Sequence, residues 1–183
     1  MINSVAHIPE KIFFECLAIS DTRSGGPPEG DGLIVRTDHL KLNIIGVCNF
    51  LIHHLEDLFT TAEIAPMVNQ VECHPYLVLQ ELQDFCKSRK IVYEAWSPLM
   101  QGAIVDVPLL KELSKKYNKT PAQIALRWNL QKDIITIPKS IKKERIQENA
   151  DIFDFELSSE DMKLIDQLDR NKHFGAHPDT FNF

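Results

Sequence analysis

From Asn43 onward the chain repeats one arrangement four times: a short, nearly continuous apolar run, then a segment whose apolar residues recur with the period of a helix. "NIIGV" leads into "LIHHLEDLFTTA", which places Leu51, Leu55 and Leu58 on one helical face. "PMVNQVE" leads into "LQELQDFCKSRK", with Leu79, Leu82, Phe85 and Cys86 at helical spacing. "IVYEAW" is followed by two helical stretches, "PLLKELSKKY" and "TPAQIALRWNLQ", and "IITIP" by a charged helix predicted to start at Ser140. The punctuation agrees with the period. Pro108 suits a first helical position, Thr120, Pro121 and Gln123 form an N-cap, N1 and capping-box series, and Ser158 caps a last helix with Glu160 and Asp161 set against its dipole.

Continuous apolar strands joined through helices imply a parallel α/β sheet, because only crossover connections link parallel neighbours. Two architectures fit, a doubly wound sheet or part of an eight-stranded TIM barrel. No strand–helix junction carries the G-x-G-x-x-G turn of a dinucleotide-binding doubly wound sheet, which favours the barrel. Residues 1–40 follow neither period: "DTRSGGPPEGDG" is punctuated by Gly and Pro throughout and reads as an irregular N-terminal segment.

Composition narrows the function classes. A net charge of -6 argues against a nucleic-acid binder or a basic membrane-surface protein, so an anionic partner must be met by a local patch. Cys16, Cys48, Cys73 and Cys86 show neither CxxC spacing nor a disulfide framework, which points to a reduced, cytoplasmic setting. No apolar run reaches the ~18 residues of a membrane span, and Glu10, Lys11 and Glu15 interrupt the N-terminal stretch.

In either architecture ligands bind at the carboxyl ends of the strands. Those ends are Cys48 and Asn49, Gln70, Trp96 with Ser97, and Lys139 with Ser140. Asn49 and Gln70 offer both donors and acceptors, which suits a planar amide such as that of nicotinamide, although each also suits local backbone satisfaction. Trp96 offers a flat face for a ring; a lone aromatic after a strand also serves as plain core. A helix starting at Ser140 would aim its free N–H groups at an anion, with Lys139 and Arg145 adding charge, and Glu148 and Asn149 lie one turn beyond Arg145. The plainer reading of "KSIKKERIQEN" is a solvated surface helix.

"IGVCNF", "MVNQVECHPYL", "EAWSPLMQG", "TPAQIALRW" and "TIPKSIKKERIQENADIFDFELSSEDM", in that order, resemble the C-terminal half of an aldo-keto reductase, close to the bacterial branch that reduces small aldehydes, ketones and dicarbonyls. The resemblance covers residues 43–183 and implies that 41–183 hold the last four βα units of a TIM barrel. It also implies NADP(H) as cofactor, bound over the strand ends without a glycine-rich turn. Asn49 and Gln70 would hold the nicotinamide carboxamide, Trp96 would stack on its ring, and Ser97 and Leu99 would line the pyrophosphate path. Lys139, Ser140 and Arg145 would grip the 2′-phosphate, and Glu148 and Asn149 would meet the adenine. Cys48 departs from the pattern, standing where the family usually has Ser; a thiol is the weaker donor, so one carboxamide contact should be looser.

The family's proton donor is a tyrosine, tuned by a lysine and an aspartate, with a histidine orienting the carbonyl. This sequence has no D-x-x-x-x-Y motif, and Tyr76, Tyr93 and Tyr117 match positions with other roles. "VAHIPEK" makes His7 a faint match to the family histidine. The expectation is therefore a chain that binds NADP(H) and lacks a catalytic residue, inactive on a small carbonyl substrate by itself. The alternatives are a non-catalytic NADP(H)-binding protein or a remnant acting through a partner. Half a barrel would leave two unpaired sheet edges and an uncovered inner face, which predicts either a homodimer or a loosely packed, aggregation-prone monomer.

Overall fold

The computed structural model describes residues 45–180; the irregular segment 1–40, His7, Cys16 and the last three residues lie outside them. Four strands, β1 (Gly46–Cys48), β2 (Val68–Glu72), β3 (Val92–Trp96) and β4 (Ile135–Thr136), form one sheet in the order β1-β2-β3-β4, and every pairing is parallel. Helices α1 (Ile52–Thr61), α2 (Gln80–Ser88), α3 (Pro108–Tyr117), α4 (Pro121–Gln131), α5 (Lys143–Ala150) and α6 (Ser159–Asp166) follow the strands, with a 3₁₀ segment, Met100–Asp106, leading into α3. This is the sequential βα order of a partial TIM barrel. The expected strands all form: β2, β3 and β4 lie inside the expected runs, and β1 ends one residue beyond its run, at Cys48. β4 is the shortest, as Pro138 cannot donate to a ladder.

The register sorts side chains into two faces, since partners in a parallel ladder point the same way. Val47 pairs with Asn69 and Asn69 with Tyr93, while Val71 pairs with Ala95; all five are buried under the helices. Cys48, Gln70, Glu94 and Ile135 form a row on the opposite face, with Val92 beside it. Val92, Ile135 and Ile137 remain exposed there. Among the described residues, β1 and β4 are each paired along one edge only.

The helical layer is anchored by α4, which buries every residue from Gln123 to Asn129. Its start is fixed as expected: Pro121 is the first helical residue, the Thr120 hydroxyl accepts from the Gln123 N–H, and the Gln123 side chain accepts from the Thr120 N–H at 2.9 Å. The Trp128 indole N–H donates to Asp166 at 2.9 Å, and the Arg127 guanidinium donates to the Ile152 carbonyl at 3.1 Å. Pro108 opens α3, and Ser158 caps α6, where its hydroxyl accepts from the Asp161 N–H at 3.2 Å.

Candidate functional site

Asn49 leaves β1 with φ 59°, a left-handed conformation that Asn tolerates better than most residues. Its backbone N–H donates to the Gln70 carbonyl at 2.8 Å, which carries the β1–β2 ladder one residue past the strand. The side chain then reaches across the end of β2, and its Oδ1 accepts the Trp96 indole N–H at 2.8 Å. The Asn49 amide nitrogen is left as a donor. Trp96 ends β3 half-buried, and Ser97 follows with φ 53°, turning the chain toward Leu99, which packs on the margin of the core. The structure thus joins two of the expected cofactor residues by a direct hydrogen bond.

Cys48 and Gln70 meet as well, but on the open face. The Cys48 thiol donates to Gln70 Oε1 at 3.6 Å, and Gln70 Nε2 donates to Glu94 Oε1 at 2.5 Å. Both ends of the Gln70 amide are therefore engaged within the sheet. The other two described cysteines are buried; burial pushes the Cys73 thiol up to about 12 and raises that of Cys86, so neither is a thiolate at neutral pH.

The corner after β4 differs from the expectation. α5 starts at Lys143, three residues beyond Ser140, and has Lys142 as its N-cap residue. The Ser140 hydroxyl instead accepts from the Lys142 N–H at 3.2 Å, a local turn that competes with helix formation. The proposed pairing of Ser140 with a helix N-terminus is thereby corrected. Lys139 and Arg145 are exposed, and among the described residues neither makes an ion pair. Glu148 accepts from the Thr120 hydroxyl at 2.5 Å, tying α5 to the start of α4, while Asn149 is half-buried beside it.

A buried carboxylate, not anticipated from the sequence, completes this end of the sheet. Glu72, the last residue of β2, accepts from the backbone N–H groups of Phe174 at 2.8 Å and Gly175 at 3.1 Å, and lies 3.0 Å from His173 Nδ1 and 3.3 Å from His74 Nε2. Burial works to raise its pKa, but the His74 hydrogen bond, the two backbone N–H groups and His173 together hold it below its ordinary value. The only hint in the sequence was an acidic residue at the end of an apolar strand.

Further along the tail, Asp179 Oδ1 lies 3.1 Å from His53 Nε2 and 3.4 Å from His54 Nε2. His54 Nδ1 accepts the Leu51 N–H at 3.1 Å, which leaves its Nε2 toward Asp179. The Tyr117 hydroxyl donates to Asp161 and accepts from the Ser158 N–H, that of Tyr93 is buried on the helix side, and Tyr76 is half-buried with the Arg170 guanidinium over its ring.

A model of the aldo/keto reductase family matches residues 41–170. Glyoxal reductase of Bacillus subtilis (strain 168) is 57% identical over 143 residues, covering 78% of this chain and 52% of its own length. Methylglyoxal reductase DkgA of Escherichia coli (strain K12) is 43% identical over 152 residues, covering 82% of this chain and 55% of its own. The crystal structure of a Gox0644 variant in complex with NADPH is similar with a TM-score of 0.73 at 39% identity, covering 76% of this chain and 52% of that one. The chain spans about half the length of these relatives.

Proposed function

This chain belongs to the aldo/keto reductase family, and from that premise we propose that it binds NADP(H) across the carboxyl ends of β1–β4, as the cofactor-holding half of a reductase of small carbonyl compounds. The observation that carries the reading is the Asn49–Trp96 pair: an indole face fixed by its own N–H, with an amide donor left beside it. Trp96 would take the nicotinamide ring, Asn49 Nδ2 would donate to the carboxamide, and Ser97 and Leu99 would flank the path outward. Lys139 and Arg145, cations with no ion pair among the described residues, are suited to a phosphate monoester, with Ser140 and Asn149 nearby in the chain. Gln70 would have to exchange its bond to Glu94 for one to the carboxamide, and Glu148 would have to leave Thr120 to meet the adenine.

The bound cofactor would supply the hydride for carbonyl reduction. Transfer also needs a proton donor; the Tyr117 hydroxyl is committed to Asp161, that of Tyr93 is buried, and the sequence carries no D-x-x-x-x-Y motif, so we propose that this chain of 183 residues alone does not turn over. The substrate class is taken from the relatives, a glyoxal and a methylglyoxal reductase. Among the described residues no helix is long and apolar enough to cross a membrane, and a cytoplasmic location remains part of the proposal.

Indole emission tests the binding step. NADPH added to the chain should quench it, and Trp96→Phe should abolish most of that quenching while the emission of Trp128, buried in the helical layer, persists. Quenching equal in both proteins would reject the site. A second observation, exposed Val92, Ile135 and Ile137 on a sheet whose outer strands are each paired on one edge only among the described residues, favours self-association through the open face. Sedimentation across a concentration series should show a dimer; a monomer at every concentration would contradict it.

A further inference from the structure

The segment 173–175 lies against Trp96 in a way that the cofactor reading does not explain. A Cβ built on Gly175 would fall 2.3 Å from Trp96 Cη2 and 3.2 Å from Cζ3, far inside the closest approach of real side chains. The backbone of Gly175 therefore rests directly on the benzene edge of the indole. At the other edge the indole N–H is held by Asn49 Oδ1 at 2.8 Å. The ring is held at both ends, and a larger residue at 175 would have to displace it.

What holds Gly175 in place is Glu72, the register partner of Trp96 in the β2–β3 ladder. Its carboxylate, 3% exposed, takes both the Phe174 and Gly175 N–H groups and the His173 ring. The Phe174 ring packs edge-on against His74 at 5.3 Å, and its carbonyl accepts from Gln101 at 3.3 Å. Two residues upstream, the Lys172 N–H donates to the Tyr76 carbonyl at 3.0 Å. His173 and Pro178 of the tail line the same small pocket as Asn49 and Trp96.

We propose that Glu72 and Gly175 are positioning residues: the carboxylate clamps the tail so that a bare glycine backbone fixes the plane of Trp96, the face on which the nicotinamide ring would stack. The statement about cofactor rests on the reading under Proposed function; the statement about the indole does not. A side chain at 175 would push the ring off its bond to Asn49 and misplace the stacking surface. A non-ionised acceptor at 72 would keep the backbone bonds and weaken the grip on His173.

The full chain has two tryptophans, so its ¹H–¹⁵N spectrum carries two indole resonances, and Trp96→Phe identifies which belongs to Trp96. Gly175→Ala should shift or broaden the Trp96 resonance and leave that of Trp128 in place. Glu72→Gln should do so less than Glu72→Ala. NADPH affinity should fall about tenfold in Gly175→Ala, the loss of roughly one well-placed aromatic contact. An unmoved Trp96 resonance in Gly175→Ala, or equal disturbance of both resonances in Glu72→Ala, would overturn the clamp. Failure of the unaltered chain to bind NADPH would instead reject the cofactor reading, with the indole resonances still deciding the clamp.

Discussion

The two faces of this sheet are built on different terms. On the helix side Val71, Ala95 and Trp128 are 2%, 0% and 0% exposed, and buried polar groups such as Asp161 and Arg127 are met by several partners each. On the other side Val92, Ile135 and Ile137 are 40%, 39% and 44% exposed, and the polar row Cys48–Gln70–Glu94 satisfies itself side to side. The helical face is closed by this chain's own residues, so its packing is where stability resides. The open face, with its exposed apolar residues, retains the surface available for binding.

That contrast is most exposed to failure at Trp128. Trp128→Ala removes a fully buried ring and its bond to Asp166, and should cost about 3–5 kcal/mol in urea-induced unfolding. A loss below about 1 kcal/mol would mean that the helical layer is not the seat of stability.

A smaller and pH-dependent effect is expected at Asp161. Burial raises its pKa, but Lys116 at 2.6 Å, the Tyr117 hydroxyl and the Ser158 hydroxyl more than offset this and hold it below the ordinary 3.8. A lowered folded pKa means that the stabilisation is complete above about pH 3.8 and disappears as pH falls through the folded value. Asp161→Asn should therefore cost about 1.5–3 kcal/mol at neutral pH. Unfolding curves of the two proteins should converge only on acidification below that range; a gap that closes between neutral pH and pH 5 would assign the effect to another group.

The smallest change is expected on the open face. Ile137→Ser should shift stability by no more than about 0.5 kcal/mol, because a residue already in water loses little. Its sedimentation should nevertheless move toward monomer. A large loss of stability without a change in association would show that the face is covered within the chain itself.

Much of the closed face was legible in the sequence, because period and capping are local. Leu55, Leu82 and Cys86 are buried where the helical spacing put them, and the Thr120–Gln123 box and the Ser158 cap form as read. The helix start at Ser140 misled because a serine can bond two residues ahead as readily as it can cap; Lys143, where a capping box wants Glu or Gln, was the sign against it. Glu72 and Gly175 could not be paired from the sequence, since 103 positions separate them and the reason for the glycine is a ring contributed by β3. The resemblance supplied the candidate residues, and the structure adds which of them touch: Asn49 with Trp96, Cys48 with Gln70.

The most direct test of the central claim, that the strand ends hold a phosphorylated dinucleotide, is a calorimetric titration of the chain with NADPH and with NADH, repeated on Arg145→Ala. A charge-assisted phosphate contact contributes about 1.5–3 kcal/mol, so NADPH should bind about 10- to 100-fold more tightly than NADH, and the substitution should remove much of that difference while leaving NADH affinity nearly unchanged. Equal affinities for the two nucleotides in the unaltered chain, or no binding of either, would contradict the account.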